Sequence, residues 1–234
     1  MRIHKFLAQA GVCSRREAER LVAAGAVKVN GQPAVIGQPV DPAVDVVICQ
    51  GRHIKPLDRT VVLMMNKPRG YLCTNDDSHG GQTVFDMVPP EYGSLRLFCV
   101  GRLDKDSEGL LILTNDGDLA NKVMHPSGGV VKRYEITLNR DYDPALTPRL
   151  LKGAVEEGEH LRFKKVIRHP EDPTQLEVHL DQGRKREIRR LFEIFGFHVK
   201  TLRRFQIGGL VLRKMPLGDC RPLSRKEIDT IFEA

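Results

Sequence analysis

Tryptophan is missing from the chain, and aromatic residues make up only 6% of it. If the protein binds nucleic acid, base stacking must therefore come from a few Tyr, Phe or His residues, or from Arg. The sequence also lacks an apolar stretch near the length of a membrane span, a signal-peptide core, and a long amphipathic helix of the membrane-surface type. These absences argue against a membrane partner and favour a cytoplasmic protein.

The number and spacing of the cysteines argue against a metal site. The five cysteines are odd in number and widely separated, with no Cys-x-x-Cys pair and no histidine at zinc-finger spacing: Cys13, Cys49, Cys73, Cys99 and Cys220. This pattern predicts reduced cytosolic thiols rather than a disulfide framework or a zinc site.

Length and charge point to a nucleic-acid partner. A chain of 234 residues can form one large domain, or a large and a small one. Its 37 Lys and Arg residues outnumber 30 Asp and Glu residues, which leaves a net charge of +7. Many of the cations are clustered, and such a balance favours a polyanion. RNA or DNA is a better candidate than an anionic membrane.

The most informative segment is a polar, Gly-bounded loop between two apolar runs. Residues 95–100 and 110–114 are predicted to be short strands, so the loop between them, which contains Asp104, lies at the end of a sheet. Rigid flanks of this kind can hold a reacting carboxylate in place.

Three interpretations of Asp104 are open at this point: a solvated turn, a catalytic carboxylate, and a calcium loop that also uses Asp106 and Glu108. The calcium interpretation is opposed by Asn115, which stands at the twelfth position where a bidentate Glu is needed. It is also opposed by the flanking strands, because an EF-hand requires helices there.

Residues 1–48 have their own organisation. An apolar pattern predicts a helix that breaks at Gly11, and a second helix begins at Ser14, where Ser14 and Glu17 form a capping-box pattern. Gly25 closes that helix. A strand then turns at Asn30-Gly31, a strong hairpin signal. Residues 49–60, with Gly51, Pro56 and several charges, are predicted to be a linker.

The cations of this segment are compatible with two interpretations, a solvated basic face or an RNA-binding surface: Lys5, Arg15, Arg16, Arg20 and Lys28. The whole pattern, from the first helix through the cap and helix end to the Asn-Gly hairpin, resembles the S4 RNA-binding module. That resemblance implies that these cations contact the phosphates of structured RNA.

Two segments further along the chain each have an ordinary structural interpretation. Residues 132–138 alternate as a strand that carries Tyr134, and such a tyrosine is usually half-buried packing. Residues 183–196 show helical spacing of Ile188, Leu191, Phe192 and Phe195, with Arg186, Arg189 and Arg190 on an adjacent face. That face could simply be solvated.

Taken in order, these segments resemble the bacterial ribosomal RNA pseudouridine synthases of the RsuA group. The resemblance is carried by Asn66-Lys67-Pro68-Arg69-Gly70, by Gly101-Arg102-Leu103-Asp104, by Lys132-Arg133-Tyr134, and by the basic helix around Arg189. It implies an α+β protein in which the S4 module precedes a catalytic domain over residues 61–234. That domain would have a largely antiparallel mixed sheet and a central cleft. Glu187 departs from the family pattern, where Gln is common.

The resemblance also implies site roles. Asp104 is the essential carboxylate, Tyr134 stacks on the target base, and Arg189 pairs with Asp104. A uridine in folded RNA must flip out to reach the site, while Arg102 and Lys105 anchor neighbouring phosphates. No cofactor and no metal are expected, and the partner is ribosomal RNA or a ribosome assembly intermediate, bound by a monomer.

Two rivals belong to other classes. A non-catalytic RNA-binding assembly factor could keep the same scaffold, although it would have no need for the trio Asp104, Tyr134 and Arg189. A metal-dependent nuclease is the weaker alternative.

Overall fold

The computed structural model describes residues 1–56, 59–75 and 80–233. The chain divides into two units. One consists of Met1–Val61, Pro90–Leu97 and Asn115–Gly117, and the other of Val62–Pro89, Phe98–Thr114 and Asp118–Ala234. Within the described residues, no helix is both long and apolar enough to cross a membrane.

The first unit combines two short helices with a small antiparallel sheet of order β2-β1-β3-β4. The hydroxyl of Ser14 accepts from the Glu17 amide at 3.1 Å, as the capping pattern predicts. The Glu17 carboxylate accepts from Arg20 instead of returning to the Ser14 amide. The elements are α1 (Ile3–Gln9), α2 (Arg15–Ala23), β1 (Val27–Val29), β2 (Gln32–Pro33), β3 (Val47–Cys49) and β4 (Arg52–Ile54).

Strand β4 corrects the prediction of a linker over residues 49–60. Cys49 ends β3, and Gln50 and Gly51 form a tight turn with φ of 49° and 76°. Asn30 and Gly31 take the same left-handed conformation in the predicted hairpin. The composition of this segment did not distinguish the two structures, because Gly and charged residues occur in tight turns as readily as in linkers. Leu57 and Asp58 lie outside the described residues.

The second unit is built on a nine-stranded mixed sheet with the path β11-β12-β8-β13-β7-β5-β15, to which β6 and β14 add at β7 and β13. The sheet and its helices confirm the predicted α+β class. The strands are β5 (Val62–Lys67), β6 (Phe98–Val100), β7 (Glu108–Thr114), β8 (Lys132–Leu138), β11 (Lys165–Arg168), β12 (Gln175–Leu180), β13 (Val199–Ile207), β14 (Leu210–Val211) and β15 (Cys220–Pro222).

The remaining elements of this unit surround the sheet. They bury apolar side chains in two clusters, one that includes Tyr134, Ile188 and Phe192 and one that includes Leu110, Ile207 and Ile231. The elements are α3 (Gly117–Met124), α4 (Thr147–Lys152), α5 (Glu187–Ile194) and α6 (Arg225–Thr230), a separate hairpin of β9 (Ala154–Glu156) and β10 (Glu159–Leu161), and short 3-10 helices at Val84–Met87, Pro126–Gly128 and Pro144–Leu146. A further 3-10 helix, Pro90–Tyr92, belongs to the first unit.

The loop that carries Asp104 joins β6 to β7, which pair antiparallel. The strand predicted over 95–100 is shorter than expected, and the strand predicted over 110–114 begins two residues earlier, at Glu108. Directly after the loop, β7 pairs in parallel with β13, where Gly109 lies opposite Arg204. A Cβ on Gly109 would be 2.2 Å from the Arg204 carbonyl oxygen, and its φ of 108° also disfavours a side chain.

We therefore predict that Gly109→Ala strongly destabilises the protein. The added methyl must either push β13 away from β7 or strain both backbones, at a cost of about 3 kcal/mol or more. For a domain of this size, thermal denaturation should show a loss of roughly 6 to 12 °C in Tm. Gly117→Ala is the matched control, since nothing lies within 4 Å of a Cβ at this first residue of α3. Equal melting temperatures for the two variants would contradict the close approach of the strands.

Candidate active site

A buried lysine holds the Asp104 loop in place. Lys67, the last residue of β5, is 0% exposed. Its ammonium donates to the backbone carbonyls of Asp104 at 3.1 Å, Ser107 at 2.8 Å and Pro68 at 2.9 Å. Burial lowers the pKa of Lys67, and the nearby carboxylates oppose that shift. Sequence analysis identified Lys67 only as part of a family motif, although a lysine ending an apolar strand was a usable signal.

The carboxylate of Asp104 lies at the surface of the loop, with 36% of its side chain exposed. Its ion pair among the described residues is with Arg186, whose Nη1 lies 3.7 Å from Asp104 Oδ2. The same Nη1 lies 3.6 Å from Asp106 Oδ1. Arg186 therefore bridges the two carboxylates of the loop.

Arg189 does not make the expected ion pair with Asp104. Its Nη2 lies 3.1 Å from Asp106 Oδ2, and its Nη1 donates to the Val199 carbonyl at 2.6 Å. The side chain is 5% exposed, and burial lowers the pKa of Arg189. A contact to the Val199 backbone directs the guanidinium towards Asp106, so its effect on Asp104 is electrostatic and of longer range.

The three arginines predicted to share a helix face in fact diverge. Helix α5 begins at Glu187, and Arg186 before it has a left-handed backbone with φ of 51°. Helical spacing therefore does not apply to Arg186. Arg190 turns away from the loop and binds Glu156 and Glu159 of the β9–β10 hairpin, the latter at 2.6 Å. Sequence spacing alone could not show that the three arginines contact different partners.

A cavity of about 220 Å³ brings together the predicted catalytic residues. Asp104, Tyr134, Arg186 and Arg189 line it, together with Arg102. The Tyr134 ring is 9% exposed and belongs to the buried apolar cluster. It therefore forms an apolar wall of the cavity opposite charged groups, an arrangement typical of a ligand site.

Two further ionisable groups line the cavity, of which Glu187 is buried and Lys132 half-buried. The Glu187 carboxylate accepts from the Arg184 amide at 3.0 Å, and burial raises the pKa of Glu187. Burial likewise lowers the pKa of Lys132. The Glu187 that departs from the family pattern thus binds the backbone before its own helix rather than a guanidinium.

The cations predicted to contact RNA are mostly at the surface. Arg102 and Lys105 are exposed on the Asp104 loop. In the first unit, Lys5 is half-buried, and the other four are exposed: Arg15, Arg16, Arg20 and Lys28. Arg15 approaches His4 at 3.1 Å, and Arg20 pairs with Glu17 at 3.1 Å.

The calcium interpretation fits this geometry poorly. Arg186 contacts Asp104, Arg189 contacts Asp106, and Arg69 lies 3.5 Å from Glu108. In the described part of the chain, no group of three or more His, Cys, Asp or Glu side chains is placed to hold a metal ion. The flanks of the loop are strands β6 and β7, whereas an EF-hand has helices.

Two cysteines meet beside the loop, although sequence spacing gave no sign of it. The thiols of Cys73 and Cys99 share a hydrogen bond, and the Leu103 amide donates to Cys73. These bonds lower the pKa of Cys73 and raise that of Cys99, because the pair retains one proton on Cys99 after the other has left. Cys73 is thus the thiol that ionises first.

Comparison with known proteins identifies the family and the fold. The family model for RNA pseudouridylate synthase matches residues 61–193, and that for the S4 domain matches residues 1–46. An RNA pseudouridine synthase of Aquifex aeolicus is 38% identical over 100% of this chain and 94% of the relative. The dual-specificity RNA pseudouridine synthase RluF of Escherichia coli is 37% identical over 100% of this chain and 79% of the relative.

A solved structure gives the same result. A crystal structure of a pseudouridylate synthase matches with a TM-score of 0.71 and 28% identity, covering 99% of each chain. These matches define an RNA-modifying isomerase that carries an S4 domain. The chain belongs to the RNA pseudouridine synthase family.

The thiol pair generates a pH-dependent prediction. Since the thiolate is the nucleophile, Cys73 should be alkylated by iodoacetamide at a pH below that needed by an ordinary thiol, and its rate should rise with pH through that lower range. Cys220 is the internal control, because burial raises its pKa to about 11. Peptide mapping by mass spectrometry measures both rates. Cys99→Ala should shift the Cys73 profile to higher pH, and an unshifted profile would contradict the pairing.

Proposed function

We propose that this protein isomerises a specific uridine of ribosomal RNA to pseudouridine, with Asp104 as the essential carboxylate. The observation that carries the proposal is the placement of Asp104 on an anchored loop at a cavity walled by Tyr134 and bordered by Arg186 and Arg189. The family supplies the reaction, and this geometry supports the residue roles.

The reaction breaks the bond between N1 and C1′ of the uridine, turns the uracil, and joins C5 to C1′, so no atom is gained or lost. Asp104 can act as a nucleophile at C1′ or at C6 of the ring, or as the base that removes the C2′ proton. Each route needs an ionised carboxylate. Arg186 Nη1, 3.7 Å from Asp104 Oδ2, is the ion-pair partner of that carboxylate among the described residues.

Tyr134 is proposed to hold the detached uracil by stacking. Its ring is buried on the apolar side and faces the cavity on the other. Because a stacked uridine cannot reach Asp104, the target base is proposed to flip out of the RNA at a cost of a few kcal/mol. Arg102 and Lys105 are proposed to contact phosphates beside the flipped nucleotide, which their exposure on the Asp104 loop supports.

The S4 module, proposed over residues 1–48, supplies a second RNA contact. Its exposed cations support binding to structured RNA, and we propose ribosomal RNA or an assembly intermediate as the partner, a monomeric enzyme, and the cytoplasm as its location. The rival of a non-catalytic assembly factor predicts binding without turnover. A direct assay for pseudouridine therefore separates the two functions.

We predict that Asp104→Asn lowers the rate of pseudouridine formation by roughly 100-fold to 10,000-fold or more, because the amide keeps the shape but cannot act as nucleophile or base. The assay is primer-extension mapping of pseudouridine in unmodified ribosomal RNA, alongside RNA affinity and Tm, which should change little. Asp106→Asn is the comparison, and its effect should be smaller. Turnover at the wild-type rate in Asp104→Asn would refute the assignment.

EDTA provides the accompanying control for the metal interpretation. It should leave the wild-type rate unchanged, because Asp104, Asp106 and Glu108 are each ion-paired with an arginine. Strong inhibition would instead favour a metal site on the loop.

A second prediction concerns the S4 module. Replacing Arg15, Arg16 and Arg20 together by Ala should weaken binding to structured RNA and reduce the slope of log affinity against log salt, by up to about 0.9 for each lost phosphate contact. Arg213, Lys214 and Lys226 form the matched control, three exposed cations of the other unit whose loss changes the net charge equally. Equal effects of both triple variants would show that affinity follows net charge rather than this module.

A further inference from the structure

Arg186 has a backbone conformation that arginine rarely adopts. Its φ of 51° and ψ of 29° lie in the left-handed region, immediately before α5. Residues in that region persist only where their surroundings hold them, and they are concentrated at functional sites. The conformation therefore needs an explanation.

The neighbours of Arg186 hold this conformation from both sides. The Glu187 carboxylate binds the Arg184 amide at 3.0 Å, and the Arg190 guanidinium binds the Lys185 carbonyl at 3.2 Å. The Arg190 amide donates to the Arg186 carbonyl at 2.9 Å. These contacts direct the Arg186 side chain away from the basic face of α5 and towards the Asp104 loop.

Three cations contact the Asp104 loop, and each has different partners. Arg189 is 5% exposed and is fixed by Asp106 and the Val199 carbonyl. Lys67 uses its three N–H groups on backbone carbonyls. Arg186, 41% exposed, is the described cation with an ion pair to the Asp104 carboxylate.

We propose that Arg186 is the positioning residue for Asp104, which orients its carboxylate at the cavity, while Arg189 anchors the loop through Asp106. The proposal rests on the proposed role of Asp104. Arg186 Nη1 lies 3.7 Å from Asp104 Oδ2, close enough for the guanidinium to fix the direction in which the carboxylate points.

The test is Arg186→Gly with chemical rescue. Glycine adopts positive φ without strain, so the backbone before α5 should be kept and Tm should not fall. The single-turnover rate constant should fall about tenfold or more, with RNA affinity within about threefold of wild type. Added guanidinium chloride at low millimolar concentration should restore part of the rate, whereas sodium chloride at the same ionic strength should not.

Two control variants isolate the guanidinium. Lys185→Ala removes an exposed cation one residue away and should leave the rate constant unchanged. Gln50→Gly introduces glycine at another left-handed position, with φ of 49° in the first unit, and controls for the backbone effect on stability. If Arg186→Gly fails to fold, Arg186→Asn replaces it, since Asn tolerates the left-handed conformation.

The outcomes separate this proposal from the proposed function. A rate within twofold of wild type, a loss confined to RNA affinity, or a rate loss in a folded variant without rescue by guanidinium overturns the role of Arg186. If Asp104→Asn, assayed in parallel, keeps wild-type turnover, the proposed role of Asp104 fails first. Inactive Asp104→Asn together with fully active Arg186→Gly leaves the function standing and removes only the positioning role.

Discussion

The structure of the site depends on one buried charge, the ammonium of Lys67. A cation without solvent costs several kcal/mol unless its donors are all satisfied. Lys67 has three N–H donors, and they meet three carbonyls, two of which belong to the loop that carries Asp104. The loop cannot move away from β5 without leaving that charge uncompensated. The polar loop that carries Asp104 is thereby fixed to the end of the buried strand β5.

The two ion pairs of the loop differ in what they contribute. Arg189 is buried against the Val199 carbonyl, and removing Asp106 would leave its guanidinium without its nearest countercharge, which makes this pair structural. The pair between Arg186 and Asp104 is partly exposed, and such pairs add about 0 to 1 kcal/mol to stability. Stability therefore does not explain why an arginine in a strained conformation reaches Asp104, whereas orientation of the carboxylate does.

Much of the architecture could be predicted because it follows local patterns. The alternation around Tyr134 predicted β8, the cap at Ser14 predicted α2, and two apolar runs predicted that Asp104 lies between strands. Predictions were wrong where the backbone conformation departs from the helical or strand periodicity of the sequence. Arg186 leaves the helix face because its backbone is left-handed, and residues 50–54 form a hairpin because Gln50 and Gly51 turn tightly. The contact of Cys73 with Cys99 depends on tertiary folding, which spacing along the chain does not encode.

The position of β13 in the sheet has a consequence for biosynthesis. This strand lies between β7 and β8, yet it is made more than sixty residues after either of them has begun. Until it emerges from the ribosome, β8 and the first two residues of β7 lack their partner strand, and an unpaired strand edge invites mispairing with other chains. The same strand supplies the Val199 carbonyl that holds Arg189 and the backbone that packs on Gly109. The cavity beside Asp104 thus lacks the part of its lining that β13 supplies until residues 199–207 have been made.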